Sequence, residues 1–384
     1  MASRCDSQHG RGVNHRLLTG VLHVNQSPPA QAAVTRLVRP ARKQATVQFR
    51  NRFLIAIPAM FAAITASIGV APAASPAGTA VPAGAATPHV AATIRVGTEP
   101  VAIAADPHTG KVYVGNLDNG LLDRATLSVI NGTTSKVIAT IRGFTNPRAV
   151  AADPWTGRVY VTGYGGGNKI AVISERTDKV IATITPPGGA TGLAVNPRTD
   201  KIYTGDEQGV AAISGATNQV VAQVTYPPRS FTGGAVDPRY NRIFFGEGQQ
   251  ETVAMINGNT NKLITHIPDD FPVTDVAVDP RTNLLYVTDL DFPVLVLSAQ
   301  TGQRTGTFLP SAGSSNSGVE VNPRTGLVYI ASEDNVVTVD DSATGTMVTS
   351  IPVAGTPEAV AANPATGKAY VADETSNTVS VIAP

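Results

Sequence analysis

An Asp-Pro or Asn-Pro pair recurs seven times, led by Asp106, Asp153, Asn196, Asp237, Asp279, Asn322 and Asn363. The intervals are 47, 43, 41, 42, 43 and 41 residues, so the chain from residue 100 onward is one unit repeated. Each unit carries four short apolar stretches. In the second copy they are 148–153, 158–162, 169–173 and 179–184. Val, Ile, Thr and Tyr dominate them, and all are short, which marks strands rather than helices. Four strands at this period predict an all-β fold: a seven-bladed β-propeller of four-stranded antiparallel blades, spanning residues 89–384.

The turns have a chemical logic. The leading Asp or Asn accepts backbone hydrogen bonds, and proline presets φ. The fifth residue is Gly110, Gly157, Asp200, Asn241, Asn283, Gly326 or Gly367, all types that tolerate a left-handed backbone. The recurring residues are therefore turn and packing chemistry. The seventh copy stops at Pro384, after its third strand, while a spare strand, 90–96, precedes the first copy. The last blade is expected to be closed by this N-terminal strand, which would remove open sheet edges.

The N-terminal part reads differently. Arg50 and Arg52 precede an apolar run over 53–70, followed by Ala71-Pro72-Ala73-Ala74. This pattern predicts a signal peptide over 50–73, cleaved near Ala73. Residues 1–49 have no period and are expected to be a disordered leader. A translation start at Val38 or Val47 would leave residues 1–37 or 1–46 unmade, and a peptide from 1–37 would refute that start. Residues 74–88, rich in Ala, Pro, Gly and Thr, read as a flexible linker. The expected location is secreted or in the cell envelope, with no membrane span after signal removal.

Residues 1–73 hold nine basic residues and one acidic residue. The rest holds 20 basic and 27 acidic, a net of −7, which argues against a nucleic-acid partner. The only cysteine, Cys5, lies in the leader, so disulfides and thiolate chemistry are excluded downstream. A monomer is expected, with an unknown protein or cell-envelope partner.

Tyr113-Val114-Gly115-Asn116, Tyr160-Val161-Thr162-Gly163, Tyr286-Val287-Thr288-Asp289 and Tyr370-Val371-Ala372-Asp373 resemble the Tyr-Val-Thr-Asn repeat. The chain from residue 90 to its end is similar to the YVTN-type, surface-layer-like β-propeller family. The resemblance implies an exported propeller and no common reaction.

No catalytic constellation stands out. His89, His108 and His266 have no metal-ligand spacing, and no nucleophile elbow or phosphate loop is present. Function is therefore sought where the copies differ. The first strands begin with Val101, Arg148, Thr191, Thr232, Thr274, Ser317 and Glu358. Two residues before the Asp/Asn, six copies have alanine and the sixth has Glu320. Two positions earlier, six copies have Ala or Gly and the fifth has Asp275. A carboxylate replacing a methyl in a crowded centre needs water, a partner or a ligand. Asp275, Glu320, Glu358 and Arg148, the last as counter-charge, are the candidate ligand-binding residues. Asp206, Glu247, Asp289 and Asp373 follow second strands and are candidate ligands for calcium or magnesium. The expected function is a non-catalytic binding or scaffold protein. The alternative is a metal-assisted lyase or hydrolase, lactonase-like activity included.

Overall fold

The structure, a computed structural model, describes residues 86–118, 124–165, 168–227, 231–290, 293–307 and 315–384. The chain divides into a unit Met1–Ala71 and a unit Pro72–Pro384, and all described residues belong to the second. The expected leader, signal peptide and most of the linker lie outside the described residues.

The second unit is all-β. Five antiparallel sheets have four strands each and one has eight. The eight-stranded sheet is two four-strand sets joined where Phe144 pairs with Tyr164. We number the seven sets in chain order by their first strands: Pro100–Ala105, Val150–Asp153, Gly192–Asn196, Phe231–Asp237, Val273–Asp279, Asn316–Asn322 and Pro357–Ala362. The seventh set takes its outer strand from the other end of the unit. There His89–Arg95 pairs antiparallel with Thr378–Ala383. Each first strand touches the first strands of the sets before and after it, and the seventh touches the first.

The turn chemistry is seen directly. Asp106 Oδ1 accepts the amides of His108 and Thr109, and the leading residue of every other copy likewise accepts the amide of the third turn residue. The fifth turn residue has positive φ in all seven copies, from 49° at Asp200 to 78° at Gly367. The third turn residue adds a link between sets. His108, Arg198, Arg239 and Arg324 each donate to the proline carbonyl of the next turn.

Between neighbouring sets the core is apolar. Leu127 and Val129 pack with Val159, Val161 and Ile173, and the pattern repeats along the chain. One boundary departs from the sequence reading. The second set's first strand starts at Val150, not Arg148, and its second strand runs on to Tyr164. Thr145 and Asn146 donate instead to Gly163 O, and Gly163 sits at φ 72°, so Arg148 lies on a connection.

Candidate functional site

The first strands and the connections leading into them line a cavity of about 750 Å³. Asp275, Glu320, Glu358 and Arg148 all lie on its wall, together with Glu333. Arg148 is the one basic side chain among the described lining residues.

Asp275 bridges two sets. Its Oδ1 accepts the Val276 amide at 2.8 Å, and its Oδ2 accepts the Val319 amide of the sixth set at 3.1 Å. The carboxylate fits because its neighbours lack side chains. A Cβ at Gly233 would stand 1.8 Å from Oδ1, and one at Gly318 would stand 3.6 Å from Oδ2. Burial pushes the Asp275 carboxyl up to about 6, against the pull of both amides. Glu320 is pushed up to about 8, first by burial and then by the Asp275 charge, while the Val321 amide pulls it down. Both side chains are half-buried, the surface they expose being on the cavity wall.

Glu358 is pushed up to about 7. Burial is the largest cause, followed by the charge of Glu374 and a carboxyl–carboxyl hydrogen bond with it, then by Glu333. Arg148 pulls Glu358 the other way. Arg148 itself is exposed, and its Nε donates to Asn146 Oδ1 at 2.9 Å. Hydroxyls at the matching first-strand position mostly tie strands together. Thr274 donates to Asn316 O, Ser317 to Pro357 O and Thr191 to Gly205 O. Thr232 lines the cavity with its Oγ1 buried and unpartnered.

Asp206, Glu247, Asp289 and Asp373 are not brought together. None lines the cavity, and all four are buried at the ends of second strands. Asp206 accepts the Gln208 amide and the Gln223 amide group, and burial raises its pKa. Glu247 Oε2 accepts from Thr252 and meets His266 Nδ1 at 2.9 Å. Asp373 Oδ2 accepts from Ser380 at 2.7 Å and from Thr378, and burial pushes its carboxyl up to about 6. The four candidate calcium or magnesium ligands are thus not gathered at the cavity, and Asp206, Glu247 and Asp373 bond within their own sheets. Among the described residues, no group of three or more His, Cys, Asp or Glu is placed to hold a metal ion.

Sequence reasoning missed Glu333 and Glu374, each one residue beyond the strand-end position. Side chains alternate along a strand, so a shift of one residue moves the side chain to the opposite face. Gly248, Leu290 and Glu333, all one step on, line the cavity that their predecessors turn away from. Applying that alternation to the seven strand ends would have found them.

Among the described residues no helix is long and apolar enough to cross a membrane. A scan against protein-family models and a search of curated proteins each return no match.

Proposed function

We propose that the chain is an exported seven-bladed β-propeller of the YVTN type that binds a small polar ligand bearing a positive charge. The observation that carries the binding reading is the cavity wall: Asp275, Glu320, Glu333 and Glu358 against the single base Arg148. Such a wall favours an ammonium or another strong donor, with Arg148 placed to meet a carboxylate of the same ligand. The cyclic contact order of the first strands and the N-terminal outer strand of the seventh set support the propeller reading. Export rests on the sequence of residues 50–73, and sequencing the mature N-terminus tests it.

The binding test is a thermal-shift and calorimetric screen of small amines, amino acids, calcium and magnesium on wild type and Glu320→Ala. Amines or amino acids should stabilise the wild type, with affinity at least tenfold weaker in the variant. If no polar ligand shifts either protein, the binding reading fails. The architecture has its own test: deleting residues 89–97 should destabilise the whole unit, because the seventh sheet would lose its outer strand. A deletion variant that melts like wild type would sink the propeller closure.

One observation favours a second reading. Glu320 and Asp275 line the cavity together, and burial and the Asp275 charge push the Glu320 carboxyl up to about 8, an arrangement suited to a general acid. This lyase or hydrolase reading predicts turnover of lactones or esters that is lost in Glu320→Gln; ligand binding without turnover rejects it.

A further inference from the structure

Glu175 occupies a position that is small elsewhere. Gly132, Gly215, Gly258, Ala299 and Ser342 stand at the same point of other third-to-fourth turns. Each of the six amides donates to the fifth residue of its own set's first turn, as Glu175 N does to Gly157 O. The position is tight in other sets. A Cβ at Gly215 would meet Asp200 Oδ1 at 2.0 Å, and one at Gly258 would meet Asn241 Oδ1 at 2.1 Å. In the second set the corresponding turn residue is Gly157, which leaves that room open.

The Glu175 side chain uses the room to reach the first set. It is only 3% exposed, and it lies against the carboxyl of Asp106, which is fully buried. Neither Glu175 oxygen nor Asp106 Oδ2 meets a donor in full hydrogen-bond geometry, and the one hydroxyl near Glu175 is that of Thr109. Asp106 Oδ1 is already committed to the His108 and Thr109 amides. Two adjoining buried carboxylates with three orphaned oxygens are costly, and a single proton between them removes much of that cost.

The surrounding charges do not remove the need. Lys111 Nζ of the first set donates to Glu175 O at 2.6 Å and to Asp178 Oδ1 at 2.7 Å, so its charge is matched by Asp178 of the second set. His108 turns its Nδ1 to Pro154 O at 2.6 Å. Tyr113, in the first set, has a hydroxyl without a partner, and burial first, then Glu175, Asp178 and Asp106, hold it neutral.

We propose that Glu175 and Asp106 share one proton across the boundary of the first and second sets, forming a pH-sensitive latch. Glu175 is the carboxylic acid, and its O–H donates to Asp106 Oδ2. At alkaline pH the proton passes to solvent, leaving two facing carboxylates that repel. Burial first, then Asp106, pushes the Glu175 carboxyl up to about 8, against the pull of Lys111 and of the Thr109 hydroxyl, in keeping with this arrangement. The latch sits between the two sets that also share the Phe144–Tyr164 strand pairing.

The test uses the full chain as wild type, Glu175→Gln and Asp106→Asn, unfolded in urea from near pH 4.5 to above about 8. The folded wild type holds a proton that the unfolded chain has released, so its stability should fall as pH rises through this window. In Glu175→Gln the amide donates at every pH. The ratio of wild-type to variant unfolding constants should therefore rise by up to tenfold per pH unit. Glu320 and Glu358 titrate in all three proteins and cancel in the ratio. Asp106→Asn places there the residue type of Asn196, Asn322 and Asn363, and its Nδ2 can donate to an ionised Glu175, so the alkaline loss should vanish. Infrared difference spectra near neutral pH should show one protonated carboxyl in wild type that is missing from Glu175→Gln. Parallel pH profiles, or no such band, overturn the latch. So does a stabilisation by calcium or magnesium that grows with pH and disappears in Glu175→Gln, which would make the pair a cation site.

Discussion

Glu320 and Asp373 are carboxyls on adjacent sets, the sixth and the seventh, and burial raises both. They differ in what faces them. Asp373 ends a second strand and turns into its own sheet, where Ser380 and Thr378 donate to it. Glu320 lies within a first strand, borders the cavity and faces the negative charge of Asp275. Acidity alone therefore does not mark a site here. A carboxyl that accepts from side-chain hydroxyls of its own sheet is structural, and one that borders the cavity with only a backbone amide beside it is available to a ligand.

The largest effect expected from this contrast is at Asp373. Asp373→Ala removes the acceptor of two hydroxyls and should cost about 1–3 kcal/mol of stability in urea unfolding. Cavity binding should be unchanged. Intact stability combined with lost binding would move Asp373 into the site and erase the contrast.

Asp340 gives a smaller effect of opposite sign. It is 1% exposed, and neither oxygen has a partner. The matching third-strand residues are Ile130, Ile173, Ile213, Ile256, Leu297 and Ile382, all fully buried apolar side chains. It has neither its own sheet's donors nor the cavity, and burial alone pushes it up to about 6. Asp340→Leu should raise stability by about 1–2 kcal/mol. The gain should grow as pH rises toward about 6, because the charged form is the one that burial penalises. A loss at every pH would show that Asp340 has a partner, such as buried water, that the contrast overlooks.

Much of this was legible in the sequence for a physical reason. Turns impose local demands, so Asp-Pro pairs and positive-φ residues announced seven units before any packing was known. Asp275 and Glu320 stood out because a crowded strand admits only small residues, and a departure there is conspicuous. Asp206, Glu247 and Asp373 do not reach the cavity because side-chain alternation turns the strand-end residue away and the next one toward it, and the strand-end comparison did not apply that alternation. Glu175 and Asp340 were passed over for another reason. Their partners, or the lack of them, lie across a boundary between sets, and a comparison of equivalent positions was made only for first and second strands.

The smallest effect is also the most direct probe of the cavity acid. Burial first, then the Asp275 charge, pushes the Glu320 carboxyl from its ordinary 4.5 up to about 8 in the folded chain. Between those values the folded chain binds the extra proton, so this part of its stability is full below 4.5 and is lost as pH rises through 8. Glu320→Gln cannot ionise and should remove that slope, a difference visible in denaturation midpoints across the same window. The carboxyl borders the open cavity, so solvent screening narrows the pH window over which the slope is seen rather than flattening it. A bound ammonium should reverse the sign for wild type: it favours the ionised carboxylate, so stabilisation by a small amine should increase as pH rises toward 8. If Glu320→Gln and wild type share one slope and one response to the amine, Glu320 is an ordinary solvated acid and the distinction from Asp373 collapses.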